Sequence, residues 1–355
     1  MRHIYIRALL LSAFITGNCF AAKNIVISNN GDVFLQLYFV KQSNDIMIFN
    51  SKVKNYIPYY SIPNQGKCHP NYISLDPTSS KVAISGGCII RGGKNLDQEV
   101  RYSFLTIVNL NTGKEIISFQ HATPYSFSPN GDAIVYSEQI PGAPWDPSPT
   151  PPGYKGGLWL YDFNQKTKKR IDTKVSGWES KWSRYVWDLN WSEHDGNIYV
   201  TDHRDVFRYN PKTGKGEIIP YKGIYFSPDG KYYVRTGIES PASLYRTCDN
   251  KRMSEWENII IAESESKYSE IYLGFWSEKL NSVVFRITNT ENVIFDVGKG
   301  RVIGKFYGGV LGTNAEGSLV AVHPVKPDNK SAYDLSQVEI INLLDVVSKY
   351  QGGKH

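Results

Sequence analysis

Phe127-Ser128-Pro129-Asn130-Gly131-Asp132, followed by Ala133-Ile134-Val135-Tyr136-Ser137, returns almost unchanged as Phe226-Ser227-Pro228-Asp229-Gly230-Lys231, followed by Tyr232-Tyr233-Val234-Arg235-Thr236. Each copy is a large apolar residue, a polar turn ending in glycine, and a run of strand-favouring residues. Looser copies are Ile27-Ser28-Asn29-Asn30-Gly31, Leu75-Asp76-Pro77, Trp191-Ser192 through Gly196, Trp276-Ser277, and Gly312-Thr313 through Gly317. Marked at the serine-equivalent, the copies fall at 28, 76, 128, 192, 227, 277 and 313, at intervals of 35 to 64 residues. Self-similarity at roughly 40–50 residues is the signature of propeller blades.

A second phrase follows the first: a strand, a polar turn and another strand. It reads LTIVNLNTGKEIISF (105–119), LWLYDFNQKTKKRI (158–171), VFRYNPKTGKGEII (206–219) and VIFDVGKGRVIGKF (293–306). Asn-Thr-Gly-Lys and Lys-Thr-Gly-Lys supply residues that tolerate the positive φ of tight hairpins. Two hairpins per unit make a four-stranded antiparallel sheet. One such sheet cannot bury both faces alone, so neighbours stack around a ring. The expectation is an all-β chain forming one propeller of seven four-stranded blades over 22–355.

The two phrases in this order resemble the TolB-like, or WD-like, propeller repeat of bacteria across nearly all of that span, most specifically at Phe127–Gly131 and Phe226–Gly230. The Gly-His and Trp-Asp signatures of eukaryotic WD repeats are absent, as is the small α/β domain that TolB carries before its propeller. The resemblance implies a propeller, and across the family propellers serve as binding platforms more often than as enzymes.

Residues 1–21 read as an export signal. Arg2 and Arg7 precede the short apolar run Ala8–Ile15, and Cys19-Phe20-Ala21 places small residues where a signal peptidase cuts. A lipid anchor on Cys19 is the alternative, which Asn18 fits poorly. The apolar run is too short to span a bilayer. The expected location is therefore the periplasm or the medium. Loss of Arg2 and Arg7 lowers the formal charge from +6 to +4, an excess scattered along the chain with no dense basic stripe. Nucleic-acid binding has little support on that count.

Up-and-down strand order sorts the connections. The Phe-Ser-Pro turns join the first strand of each blade to the second, and the Thr-Gly-Lys turns join the third to the fourth. Both lie on one face, the turn face. Second-to-third loops and blade-to-blade connections lie on the other, the loop face. Cys68 and Cys88 lie about ten residues either side of the Pro77–Thr78 bond, so pairing brings them side by side on the loop face within disulfide reach. Cys248 falls at a turn on the other face and is expected to be free.

The longest insertion, Glu138 to Gly157, is proline-rich and carries Trp145 and Tyr154 on the loop face. Next comes SGWESKWSRYVWDLNW (176–191). Trp191 occupies the repeat position of Phe127 and belongs to the core, with Trp187 beside it. Trp178, Trp182 and Tyr185, with Arg184 among them, precede the strand on the same face as Trp145. These six residues, Trp145, Tyr154, Trp178, Trp182, Arg184 and Tyr185, form the candidate binding set: an aromatic platform for a peptide, a partner's apolar anchor or a sugar ring. Packing of these aromatics within their own loops is the competing reading. The segment Ile89–Tyr102 reads as a charged, solvated loop on this face.

No G-x-S-x-G, HExxH, P-loop or G-x-G-x-x-G in βαβ context is present, and no cysteine pair has zinc-site spacing. His194 and Asp195 are separated by a full strand from Asp202, His203 and Asp205, so the two groups cannot share one ion. The sequence points to no cofactor and no metal. It points to a monomeric, non-catalytic platform for an envelope protein or peptide, with a carbohydrate-binding or polysaccharide-cleaving propeller as the alternative.

Overall fold

A computed structural model describes residues 25–28, 33–40, 43–50, 55–61, 67–91, 99–138, 157–171, 186, 188–201, 205–221, 223–235, 242–264, 270–288, 290–326, 329–333 and 338–352. They form a β-propeller whose blades are four-stranded antiparallel sheets. The first blade is β1 (Ile25–Ile27), β2 (Val33–Val40), β3 (Ser43–Asn50) and β4 (Asn55–Ser61). The second is β5 (Lys67–Leu75), β6 (Lys81–Arg91), β7 (Glu99–Asn109) and β8 (Glu115–Gln120). The third is β9 (Ala122–Phe127), β10 (Ala133–Glu138), β11 (Gly157–Asp162) and β12 (Thr167–Arg170). The fourth is β13 (Asp188–Trp191), β14 (Ile198–Thr201), β15 (Val206–Asn210) and β16 (Lys215–Ile219). The fifth is β17 (Tyr225–Phe226), β18 (Tyr232–Arg235), β19 (Ser243–Arg246) and β20 (Lys251–Arg252), followed by helix α1 (Ser254–Ala262). The sixth is β21 (Tyr272–Ser277), β22 (Ser282–Arg286), β23 (Glu291–Asp296) and β24 (Arg301–Tyr307).

The four-stranded blades number six, not the seven expected from the repeat. The last repeat forms a three-stranded sheet in the order β25 (Gly309–Thr313), β26 (Leu319–His323), β29 (Glu339–Asn342), with β27 (Val325–Lys326) and β28 (Asn329–Tyr333) as a separate hairpin. Where a fourth strand would stand, helix α2 (Leu343–Gly352) packs on β24 and β29. Leu343, Val346, Val347 and Tyr350 recur at helical spacing, and the first three pack into the core beside Ile294, Ile303 and Phe306. An alternating strand could not direct all of them to one side.

Inner strands are apolar without alternation because stacked blades cover both of their faces. Ile134 and Tyr136 pack with Leu105 and Ile107 of the second blade, while Val135 packs with Leu189, Val200 and Phe207 of the fourth. Outer strands such as β12 (Thr-Lys-Lys-Arg) are largely exposed. The ring closes where β1 meets β25 and β26. Ile25 and Ile27 pack with Ala321 there, and a Cβ on Gly312 would lie 1.8 Å from the Ile25 carbonyl oxygen. Only glycine permits that approach.

The Phe-Ser-Pro turns reuse one device. Ser28, Asp76, Ser128, Ser192, Ser227, Ser277 and Asn314 are all buried at the same turn position. Ser128 Oγ accepts a bond from Ala133 N (2.9 Å), and Ser227 Oγ from Tyr232 N (3.0 Å). Asp76 Oδ1 accepts from Ser80 N and Lys81 N, both at 2.6 Å, and Asn314 Oδ1 from Ser318 N and Leu319 N, both at 2.9 Å. The final mark therefore moves by one residue, from Thr313 to Asn314. The turn glycines meet two demands at once. Gly131 has φ +71° and its Cβ would lie 2.5 Å from Asp76 Oδ2 of the preceding blade; Gly317 has φ +62° and would meet Trp276 O at 2.7 Å.

Third-to-fourth turns have their own device. Asn109, Asp162 and Asn210 each accept two following backbone N–H groups on Oδ1. A left-handed residue then closes the turn: Gly113, Lys166, Gly214, Asn250 and Gly300.

Candidate functional site

Trp145, Tyr154, Trp178, Trp182, Arg184 and Tyr185 lie outside the described residues, as does Trp187. What is described is the scaffold at their roots. Strand order brings Glu138 (end of β10), Gly157 (start of β11), Arg170 (end of β12) and Asp188 (start of β13) to the loop face of the third and fourth blades. Trp191 is core, 9% exposed, with its indole N–H bonded to Gly196 O at 3.1 Å.

The innermost strands are tied to one another around the central channel by side-chain hydrogen bonds. Ser74 Oγ and the Tyr125 hydroxyl are 3.0 Å apart between the second and third blades. Trp191 N donates to Ser126 Oγ (3.0 Å), Asn190 Nδ2 to Ile224 O (2.9 Å) and Trp276 Nε1 to Tyr225 O (3.1 Å). The Tyr225 hydroxyl reaches back one blade to donate to Asp188 Oδ2.

Asp188 stands out in this belt. It opens β13 directly after the 172–187 connection and retains some exposure where the innermost strands meet. Leu189 N donates to its Oδ1 at 2.9 Å, and no Lys, Arg or His pairs with it among the described residues. Burial pushes its carboxyl up to about 7, only partly opposed by the bonds from Tyr225 and Leu189. A carboxyl so placed changes charge near neutrality. Perturbed groups of this kind concentrate at functional sites, and ion-pair networks, the usual structural alternative, do not account for this one.

A second polar corner lies at the loop-face end of the third blade. The Tyr136 and Ser137 hydroxyls are buried without a hydrogen-bond partner among the described residues. Burial, then the charge of Glu138, raises the Tyr136 phenol. Burial lowers the His121 imidazole, whose backbone is left-handed at φ 60°. Lys168 Nζ stands 4.0 Å over the Trp159 ring and 5.4 Å over that of Tyr136. The two hydroxyls are fully buried, so of this corner Glu138 and Lys168 are the groups that reach the surface.

Other expected features resolve as follows. The Ile89–Tyr102 loop is mostly strand, because β6 and β7 continue to the pair Arg91↔Glu99. The β5–β6 register sets Cys68 directly opposite Cys88, and Cys248 is exposed and free in the turn before β20. His194 and Asp195 serve packing and the turn. The His194 ring occupies the space that a Cβ on Gly230 would need, and Asp195 accepts bonds from Asn197 N and the Tyr199 hydroxyl. Among the described residues no group of three or more His, Cys, Asp or Glu is arranged to hold a metal. No described helix is long and apolar enough to cross a membrane.

No protein-family model matches the sequence, and no curated protein matches it. Among solved structures, the chain is similar to one in the crystal structure of the mitotic checkpoint complex, at 9% identity and a TM-score of 0.52, with 87% of this chain and 86% of that one covered. It is also similar to an oligogalacturonate lyase from Vibrio parahaemolyticus, at 13% identity and a TM-score of 0.44, covering 65% of this chain and 64% of that one. The first likeness shows a shared propeller fold and nothing of function. The second is too distant to carry an argument.

Sequence reading placed the site in the aromatic loops and missed Asp188. The residue sits inside Trp187-Asp188-Leu189-Asn190-Trp191, where an aspartate reads as an ordinary strand-end polar group. Its distinction comes from Tyr225, 37 residues later.

Proposed function

We propose that the chain is an exported, non-catalytic propeller of the TolB-like kind whose loop face binds a protein or peptide of the bacterial envelope. The observation that carries this reading is the Asp188–Tyr225 pair. A carboxyl without a cationic partner among the described residues, held between two innermost strands, lies three residues beyond Tyr185 in the segment that bears Trp178, Trp182 and Arg184. Aromatic rings beside a desolvated polar group are the usual make-up of a binding hot spot. Residues 1–21 act as the export leader, and the mature chain works as a monomer without cofactor.

The test is affinity capture from envelope extract with the wild type, a Trp178→Ala/Trp182→Ala variant and Asp188→Asn. The reading expects a specific partner retained by the wild type and lost from the aromatic double variant. Capture indifferent to all three changes overturns it. Retention of defined glycans, or turnover of a uronate polymer, favours the carbohydrate alternative.

The same reading includes a Cys68–Cys88 disulfide. Directly opposed residues on antiparallel strands have Cα atoms about 4.5–5.5 Å apart, inside the disulfide range. Non-reducing peptide mapping should join the two peptides, and Cys88→Ser should cost about 3 kcal/mol for a loop of this size. Two free thiols in the exported protein would sink this element.

A further inference from the structure

The basic residues that look scattered along the sequence are gathered by the repeat onto one rim. Each third-to-fourth turn of the second to sixth blades carries an exposed cation at or just after its left-handed residue: Lys114, Lys166, Lys215, Lys251 and Arg301. None of the five enters an ion pair among the described residues. Two acids of these turns are already committed. Asp249 pairs with Arg246, and Asp296 with Lys299 at 2.9 Å. The turns occupy the same position in successive blades, so they lie around the outer edge of one face of a disc. Closer to the channel, Glu193 and Glu278 sit at equivalent turn positions of the fourth and sixth blades, and the charge of Glu278 adds to the burial that raises the Glu193 carboxyl. A flat, extended anionic surface can meet the whole rim at once.

We propose that the rim of the turn face, carrying Lys114, Lys166, Lys215, Lys251 and Arg301, docks the propeller on the surface of an anionic lipid bilayer. The disc then lies flat, with its loop face turned away from the membrane. Solvation of isolated lysines is the ordinary fate of such residues. What sets these apart is one unpaired cation per turn over five successive blades, all on the same rim.

The experiment is co-sedimentation of the chain with vesicles of phosphatidylcholine alone and of phosphatidylcholine with 30% phosphatidylglycerol, at low salt and at a few hundred millimolar salt. The exported, mature form is used throughout, so Arg2, Arg7 and the apolar run of the leader do not contribute. The wild type should bind the anionic vesicles at least tenfold more tightly than the neutral ones, and salt should weaken that binding about tenfold. The combination Lys114→Glu, Lys215→Glu, Lys251→Glu and Arg301→Glu should remove the preference while circular dichroism and melting stay unchanged. Equal binding to both vesicles, or an unaltered preference in the variant, overturns the proposal. So does retention on heparin without vesicle binding, which assigns the rim to a soluble polyanion. If the quadruple variant fails to fold, the vesicle preference and salt dependence of the wild type decide. Trp178→Ala/Trp182→Ala should leave vesicle binding intact, so failure of the loop-face reading and failure of this one are separable.

Discussion

The two faces of the ring follow different rules. On the turn face the same solution recurs from blade to blade. A buried polar residue accepts the backbone N–H groups of the turn, and in the Phe-Ser-Pro copies a left-handed glycine lets the preceding blade approach. Among the described residues the buried Ser79 and Thr247 hydroxyls and Asn197 Oδ1 are the exceptions there, each lacking a hydrogen-bond partner. On the loop face the connections range from the single residues His121 and Gly308 to the 18 residues between β10 and β11, and among the described residues Asp188 has no cationic partner and the buried Tyr136 and Ser137 hydroxyls no hydrogen-bond partner. Repetition marks what every blade needs in order to pack. Departure from repetition, where buried polarity is left uncompensated, marks where selection acts on something other than stability.

If that contrast is sound, breaking a repeated turn should cost stability, whereas neutralising the desolvated carboxyl of the loop face should add to it. The largest loss is expected at Gly131→Ala. The new Cβ would sit in a left-handed conformation and press on Asp76 Oδ2. Asp76 cannot move aside, because it already holds Thr78, Ser80 and Lys81. Backbone strain and overpacking together should cost about 3 kcal/mol, visible as a lowered denaturation midpoint in urea. An unchanged midpoint would show that the turn is looser than its hydrogen bonds imply.

Asp188→Asn should do the reverse. An exposed aspartate loses its proton near pH 4, whereas this one in the folded chain holds it to about 7. Between those values the unfolded chain releases a proton that the folded chain keeps. The folded state thus loses about 1.4 kcal/mol per pH unit as pH rises from 4 to 7, and the loss then levels off. Asparagine copies the neutral acid and removes that loss. Asp188→Asn should match the wild type near pH 4 and exceed it by up to about 4 kcal/mol at pH 8, read from melts across that range. A variant less stable than the wild type at pH 8 would mean that the Tyr225 bond to the ionised carboxylate outweighs its desolvation.

These expectations also show what the sequence made legible. The Phe-Ser-Pro marks located the blades and, within one residue, every buried turn group, because the same turn chemistry must be written out each time. Trp191 was placed in the core by its equivalence to Phe127. The blade count failed at the last repeat, where the spacing of Leu343, Val346, Val347 and Tyr350 was itself a helix signal that the expectation of a strand overrode. Helix α1 was missed for a different reason. Its anchor, Glu257 accepting bonds from Leu244 N and the Arg252 guanidinium, joins residues whose proximity only the folded blade creates. Asp188 and the rim of cations were hidden likewise. Each draws its meaning from neighbours tens of residues away, and no local pattern records them.

The smallest effect tests the turn face at its weakest copy. Among the third-to-fourth turns, the left-handed position is glycine at 113, 214 and 300, but lysine at 166, with φ 55°. A side chain at positive φ brings Cβ against the following carbonyl, which costs roughly 1 kcal/mol, while glycine adds entropy to the unfolded chain and recovers part of that difference. Lys166 is exposed and makes no side-chain bond among the described residues, so nothing else is lost. Lys166→Gly should therefore stabilise the fold by about 0.5–1 kcal/mol, a gain of about one to two degrees in melting temperature that an Ala substitution would not reproduce. If alanine and glycine act alike at 166, the turn does not impose its conformation, and the device shared by the other blades does not extend to this one.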